Sequence, residues 1–76
     1  MALSKIQKEF LTTWLLEAGM STVRFWGGSS HYPALHNMYM KSTNLYLSDL
    51  TVAGYFTSED NDMHRLTQKA IDEIGE

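Results

Sequence analysis

Leu47-Ser48-Asp49-Leu50-Thr51-Val52-Ala53-Gly54-Tyr55-Phe56 is the stretch from which the architecture can be read. Leu47, Leu50 and Ala53 fall on one face of a helix. Gly54 follows where a helix stops, because glycine takes the left-handed cap conformation without steric penalty. Tyr55, Phe56 and Thr57 then read as a short extended run of aromatic and β-branched residues. With Ser42 as N-cap, this spacing predicts a helix over Thr43–Ala53.

Working toward the C-terminus, Ser58-Glu59-Asp60-Asn61-Asp62 is a polar loop, and Met63-His64-Arg65-Leu66 returns as a partner strand. The two runs make a small hairpin. Thr67 caps a last helix carrying Ala70, Ile71 and Ile74. Toward the N-terminus, Pro33 suits a first helical turn, and Leu35, Met38 and Tyr39 give a short helix to about Lys41. Only two or three residues separate it from the next helix, which forces a tight turn. Gly27-Gly28-Ser29-Ser30 breaks the chain before it. Thr22-Val23-Arg24-Phe25-Trp26 reads as a short strand. Ser4 and Gln7 fit a capping box, and Ile6, Phe10, Leu11, Trp14, Leu15 and Ala18 form an apolar stripe ended by Gly19. A helix is expected from Ser4 to Ala18, with Lys5, Lys8, Glu9, Thr12 and Thr13 on its other face.

Composition bounds what this order can build. The chain has 76 residues, 43% hydrophobic and 12% aromatic, so one core-rich domain over residues 1–76 is expected, not a disordered segment. There is no cysteine, which removes disulfides and thiolate metal sites. No apolar run is long enough to span a bilayer. No basic stretch precedes an apolar block at the N-terminus, so a secretory signal is not expected and a cytoplasmic setting is the simplest reading. The formal charge is −3, from six Lys and Arg against nine Asp and Glu.

The fold class expected is α+β. The run Leu-x-x-Leu-x-x-x-Gly-Tyr-Phe (Leu47, Leu50, Gly54, Tyr55, Phe56), a hairpin, and then Leu66-Thr67-x-x-Ala70 with Ile74 resembles the winged-helix family. The resemblance covers the C-terminal half by residues and the rest by element order. It implies three helices, a short N-terminal strand, a two-stranded wing hairpin and a C-terminal helix. The economy of the chain also resembles that of small phage-encoded proteins. In DNA-binding members the third helix would enter the major groove and the hairpin would touch the backbone.

Such a site needs cations for phosphates. From Lys41 to Arg65 the only two cations are those residues themselves, against Asp49, Glu59, Asp60 and Asp62. The expected wing is acidic where phosphate would sit. The leading expectation is therefore a small inhibitor or adaptor of transcription, DNA-handling or defence machinery, docking a protein through Leu45, Tyr46, Asp49, Glu59, Asp60 and Asp62. The alternative is a dimeric DNA-binding regulator using Lys41, Ser42, Thr43, Asn44 and Arg65, helped by Arg24. Trp26, Tyr32, Tyr39, Tyr46 and Tyr55 exceed what so small a core needs, and Tyr32, Tyr39 and Tyr46 are candidates for an interface with a partner or a second copy.

No catalytic set, cofactor or metal is expected. His31 and His36 are five apart, off the spacing of a helical metal-binding pair. Gly27–Ser30 lacks the lysine and spacing of a phosphate loop. Ser29, His31 and Asp49 show no nucleophile-elbow pattern. The chain is too small to enclose an ordinary substrate pocket.

Overall fold

The computed structural model describes residues 3–25, 32–60 and 62–75. In chain order the elements are α1 (Lys5–Ala18), β1 (Val23–Arg24), α2 (Pro33–Lys41), α3 (Leu47–Val52), β2 (Phe56–Asp60), β3 (Met63–Leu66) and α4 (Gln68–Ile74). The protein is α+β. The strands form one antiparallel sheet in the order β1-β3-β2. Val23 pairs with His64 and Arg24 with Met63, while Phe56 pairs with Leu66 and Thr57 with Arg65.

α1 starts on the capping box that its sequence encodes. The Ser4 amide donates to Gln7 Oε1 at 2.9 Å, and the Gln7 amide donates to Ser4 Oγ at 3.2 Å. Gly19 ends the helix at φ +61°, its amide donating to Leu15 O at 3.0 Å. Pro33 stands in the first turn of α2, where its missing N–H removes no helical bond.

The core is aromatic. Phe10 and Trp14 from α1 meet Phe25 and Phe56, with the Trp14–Phe56 centroids 4.6 Å apart at 61°. Edge-on geometry recurs at Phe10–Phe25 and Phe25–Tyr39, the arrangement favoured by the ring quadrupole. Leu11, Leu35, Leu50 and Leu66 fill the remainder. The Trp14 indole N–H is buried and meets no acceptor among the described residues, so with respect to them this ring contributes through its area.

α3 is shorter than its sequence predicts. It starts at Leu47, not at Thr43. Ser42 does not cap it; Ser42 ends α2, its Oγ donating to Met38 O at 2.6 Å. Asn44 takes φ +60°, a left-handed conformation that interrupts any helix through it. That turn drives Leu45 into the core, where it is 3% exposed.

The other end of α3 is as its sequence predicts. Gly54 adopts φ +92° just after the helix. Its amide donates to Thr51 O at 3.0 Å and that of Tyr55 to Leu50 O at 2.9 Å, the paired bonds of a Schellman ending. α4 is fastened to this ending. The Thr67 hydroxyl donates to Gly54 O at 2.6 Å and accepts from the Ala70 amide at 3.3 Å. The Thr67 amide donates to Tyr55 O at 3.2 Å. Lys69 Nζ donates to Ala53 O at 2.7 Å and lies 4.8 Å from the centre of the Tyr55 ring. Of the residues that carry the family resemblance, Leu50, Gly54, Tyr55, Thr67 and Ala70 meet in this hydrogen-bonded junction.

β1 is two residues long, shorter than the Thr22–Trp26 strand expected, although the Phe25 amide still donates to Asp62 O at 2.8 Å. β2 is longer than expected and carries Ser58, Glu59 and Asp60 into the sheet. Ser58 faces His64 and Asp60 faces Met63, so Glu59 is the extra residue of a bulge. No helix among the described residues is long and apolar enough to cross a membrane.

Candidate functional site

α3 has an inner and an outer face. Leu50 is buried and Leu47 half-buried, while Ser48, Asp49 and Val52 point outward. Val52 is 89% exposed and Tyr46, the residue just before the helix, 52%. Asp49 and Val52 lie one turn apart and line a shallow cleft of 360 Å³ with Ala53 and with Gln7 of α1. Asp49 makes no ion pair with a described residue. Val52 is an exposed aliphatic residue outside the set expected from the sequence. Its signal was present, because Val52 falls off the Leu47-Leu50-Ala53 face.

The acidic residues of the hairpin are all exposed, but they do not form one free patch. Glu59 Oε1 accepts from Arg65 Nη2 at 2.9 Å across the strands and from Thr57 Oγ1 at 3.3 Å. Arg24 of β1 lines a hollow of 230 Å³ together with Asp60, Asp62 and Met63. Arg65 thus lies within the acidic hairpin, and Arg24 beside it on β1. Asn61, at its tip, lies outside the described residues, as do Trp26, Gly27–Ser30 and His31.

Several sequence-selected residues sit elsewhere than expected. Leu45 is in the core and cannot touch a partner. Tyr55 is 1% exposed and belongs to the junction with α4. Burial pushes its hydroxyl above the ordinary tyrosine value, and the negative charge of Glu73 adds to this. Tyr39 packs edge-on against Phe25 and Tyr32 is half-buried against the core, so Tyr46 is the one described tyrosine that is mainly exposed. Ser42, Thr43 and Asn44 form the α2–α3 turn, not the start of a helix. Lys41 is exposed in the last turn of α2.

His64 is buried on the central strand, edge-on to Phe56 at 6.0 Å, and its Nδ1 has no partner among the described residues. Burial holds it below the ordinary histidine value; Asp62 and a hydrogen bond with the Thr57 backbone act in the opposite sense but are weaker. His36 also has a buried Nδ1 without a partner. Among the described residues no group of three or more His, Asp or Glu could hold a metal ion. α3 thus presents one exposed aliphatic, Val52, with the Asp49 carboxylate one turn away, and the exposed Tyr46 stands just before it. Comparison with family models, with curated proteins and with solved structures finds no match to this chain.

Proposed function

We propose that the protein is a non-enzymatic interaction module of the winged-helix type, working in the cytoplasm, that docks a protein partner through α3 and the acidic hairpin. The carrying observation is the pairing of an almost fully exposed Val52 with an unpaired Asp49 one turn away on α3. An exposed aliphatic costs free energy in water that a partner recovers by covering it. A carboxylate beside it selects a partner with a cation at that place. Tyr46, Asp49 and Val52 form the centre of the face, with Asp60 and Asp62 at its acidic border. The element order, with a hairpin directly after the third helix and the first strand added to it, supports the winged-helix reading. The role fits a small inhibitor or adaptor of transcription, DNA-handling or defence machinery.

A DNA-binding reading has less support. The residues it needs at the start of a recognition helix, Ser42, Thr43 and Asn44, lie in a turn. Arg65 is engaged by Glu59. The test is affinity capture from the native host with the wild-type chain and with a Tyr46→Ala, Asp49→Arg variant, beside anisotropy on a random duplex at low and physiological salt. A partner captured by the wild type and lost by the variant is the expected result. Duplex binding that weakens steeply with salt would replace this reading by the DNA-binding one.

A further inference from the structure

A second groove lies away from α3. It measures 460 Å³, lies between α1 and α2, and is lined by Lys5, Lys8, Glu9, Thr12, Thr13 and Met38. Its chemistry is opposite to that of the α3 face. Lys5 and Lys8 are exposed and make no ion pair with a described residue. They occupy the first and fourth positions of α1, at the end of a helix where the backbone field repels cations, and no acidic residue offsets them in the first turn. Two cations against the single carboxylate of Glu9, in a chain of net charge −3, are a local reversal of sign.

The wall between them and α2 is apolar in character. The Thr12 hydroxyl donates to Lys8 O at 2.8 Å and the Thr13 hydroxyl to Glu9 O at 2.9 Å. With those polar atoms engaged, the threonine methyls and the half-buried Met38 side chain are what an occupant meets, and methionine adapts well to varied apolar shapes. Glu9 gives the groove a direction, because it repels a carboxylate on its own side of the lysine pair.

We propose that this groove is a second docking site, and that its occupant is an acidic amphipathic segment of a partner protein. Carboxylates of the segment pair with Lys5 and Lys8, and an apolar side chain beside them covers Met38 and the threonine methyls. The site is independent of the α3 face, since it recognises the opposite charge. A chain with both sites joins a basic surface to an acidic one.

The test uses the full chain, ¹⁵N-labelled, and a synthetic helical peptide of about four turns with leucines on one face and glutamates on the other. Saturable amide shifts along Lys5–Thr13 and at Met38, with none over Tyr46–Val52, are expected. Reversing both lysines (Lys5→Glu, Lys8→Glu) should weaken binding about tenfold or more. Both are exposed, so the variant keeps its fold, and unchanged circular dichroism checks this. A peptide with serines in place of the leucines should bind at least about tenfold more weakly, because the apolar floor is then uncovered. Unaltered affinity of the double-lysine variant, equal binding of the serine peptide, or shifts confined to other surfaces would overturn the proposal. So would a DNA duplex that produces the same shifts more strongly than the peptide, since the lysines would then be phosphate contacts. The peptide and lysine outcomes leave the α3 reading standing, because that reading is tested by loss of capture with the Tyr46 and Asp49 variants; the duplex outcome bears on both.

Discussion

The two ends of the β2–β3 hairpin are held by different means. At its root, Gly54, Tyr55, Thr67 and Lys69 exchange short hydrogen bonds, and Phe56 is 2% exposed against Trp14. At its tip, the acidic residues are exposed and the Arg65–Glu59 pair spans two side chains that are 46% and 40% exposed. A buried, backbone-directed junction fixes position. An exposed ion pair in high dielectric adds little stability and leaves its carboxylates available to solvent and partners. The residues that carry a family resemblance belong to the first kind, so they report on architecture. The residues that would carry recognition belong to the second.

This contrast can be broken by substitution. The largest effect is expected at the root. Phe56→Ala removes a ring shared by Phe10, Trp14 and His64, and should lower stability by about 3–5 kcal/mol in urea unfolding. In a domain of this size that leaves little folded protein, and a structured Phe56→Ala chain would show that the core does not depend on the root. Next is Thr67→Ala, which removes a helix cap and leaves Gly54 O without its hydroxyl donor. A loss of about 1–2 kcal/mol is expected. Thr67→Ser should retain most of the stability, because the hydroxyl does both tasks; equal losses in the two variants would assign the effect to the methyl.

His64 gives an intermediate effect with a defined sign. Its folded pKa lies below the ordinary value, so the unfolded chain takes up the proton first. Its contribution is fully present above about pH 6.5 and is lost as pH falls from there through the folded value. The slope from this one site is at most about 1.4 kcal/mol per pH unit. Chemical unfolding across pH 7 to 5 measures it, and His64→Gln should flatten that interval. A slope that persists unchanged in His64→Gln would place the proton elsewhere. The smallest effect belongs to the tip. Glu59→Gln should cost about 0.2–1 kcal/mol, shrinking further in high salt. A loss as large as that of Thr67→Ala would show that the tip is held as firmly as the root.

The legible part of the fold consists of features that one or two residues settle locally. Ser4 with Gln7 is a capping box wherever it stands before an apolar stripe. Gly54 takes a conformation that L side chains rarely adopt. Pro33 fits a first turn because of its fixed φ and missing N–H. What was not legible depends on contacts between distant residues. Asn44 tolerates the left-handed region better than most residues, but its neighbours in sequence do not demand a turn there; the turn goes with the burial of Leu45 in the assembled core. Glu59 and Asp60 have low strand propensity, and this run is extended because Ser58 pairs with His64 and Asp60 with Met63, with Glu59 as the bulge between them. The candidate site was legible to the same degree. Tyr46 and Asp49 are exposed as expected, whereas Leu45, Tyr39 and Tyr55 look like interface residues only until the core they fill is assembled.

Periodicity, caps and charge are local properties, so the order of elements, the ends of α1, the C-terminal end of α3 and the acidic character of the hairpin are written in the chain residue by residue. Tertiary structure alone decided where α3 begins, which aromatics are buried, that β1 joins β3, and that Lys5 and Lys8 share a groove with Met38. Those outcomes rest on which surfaces meet, and burial is a property of the assembled core that no single segment contains.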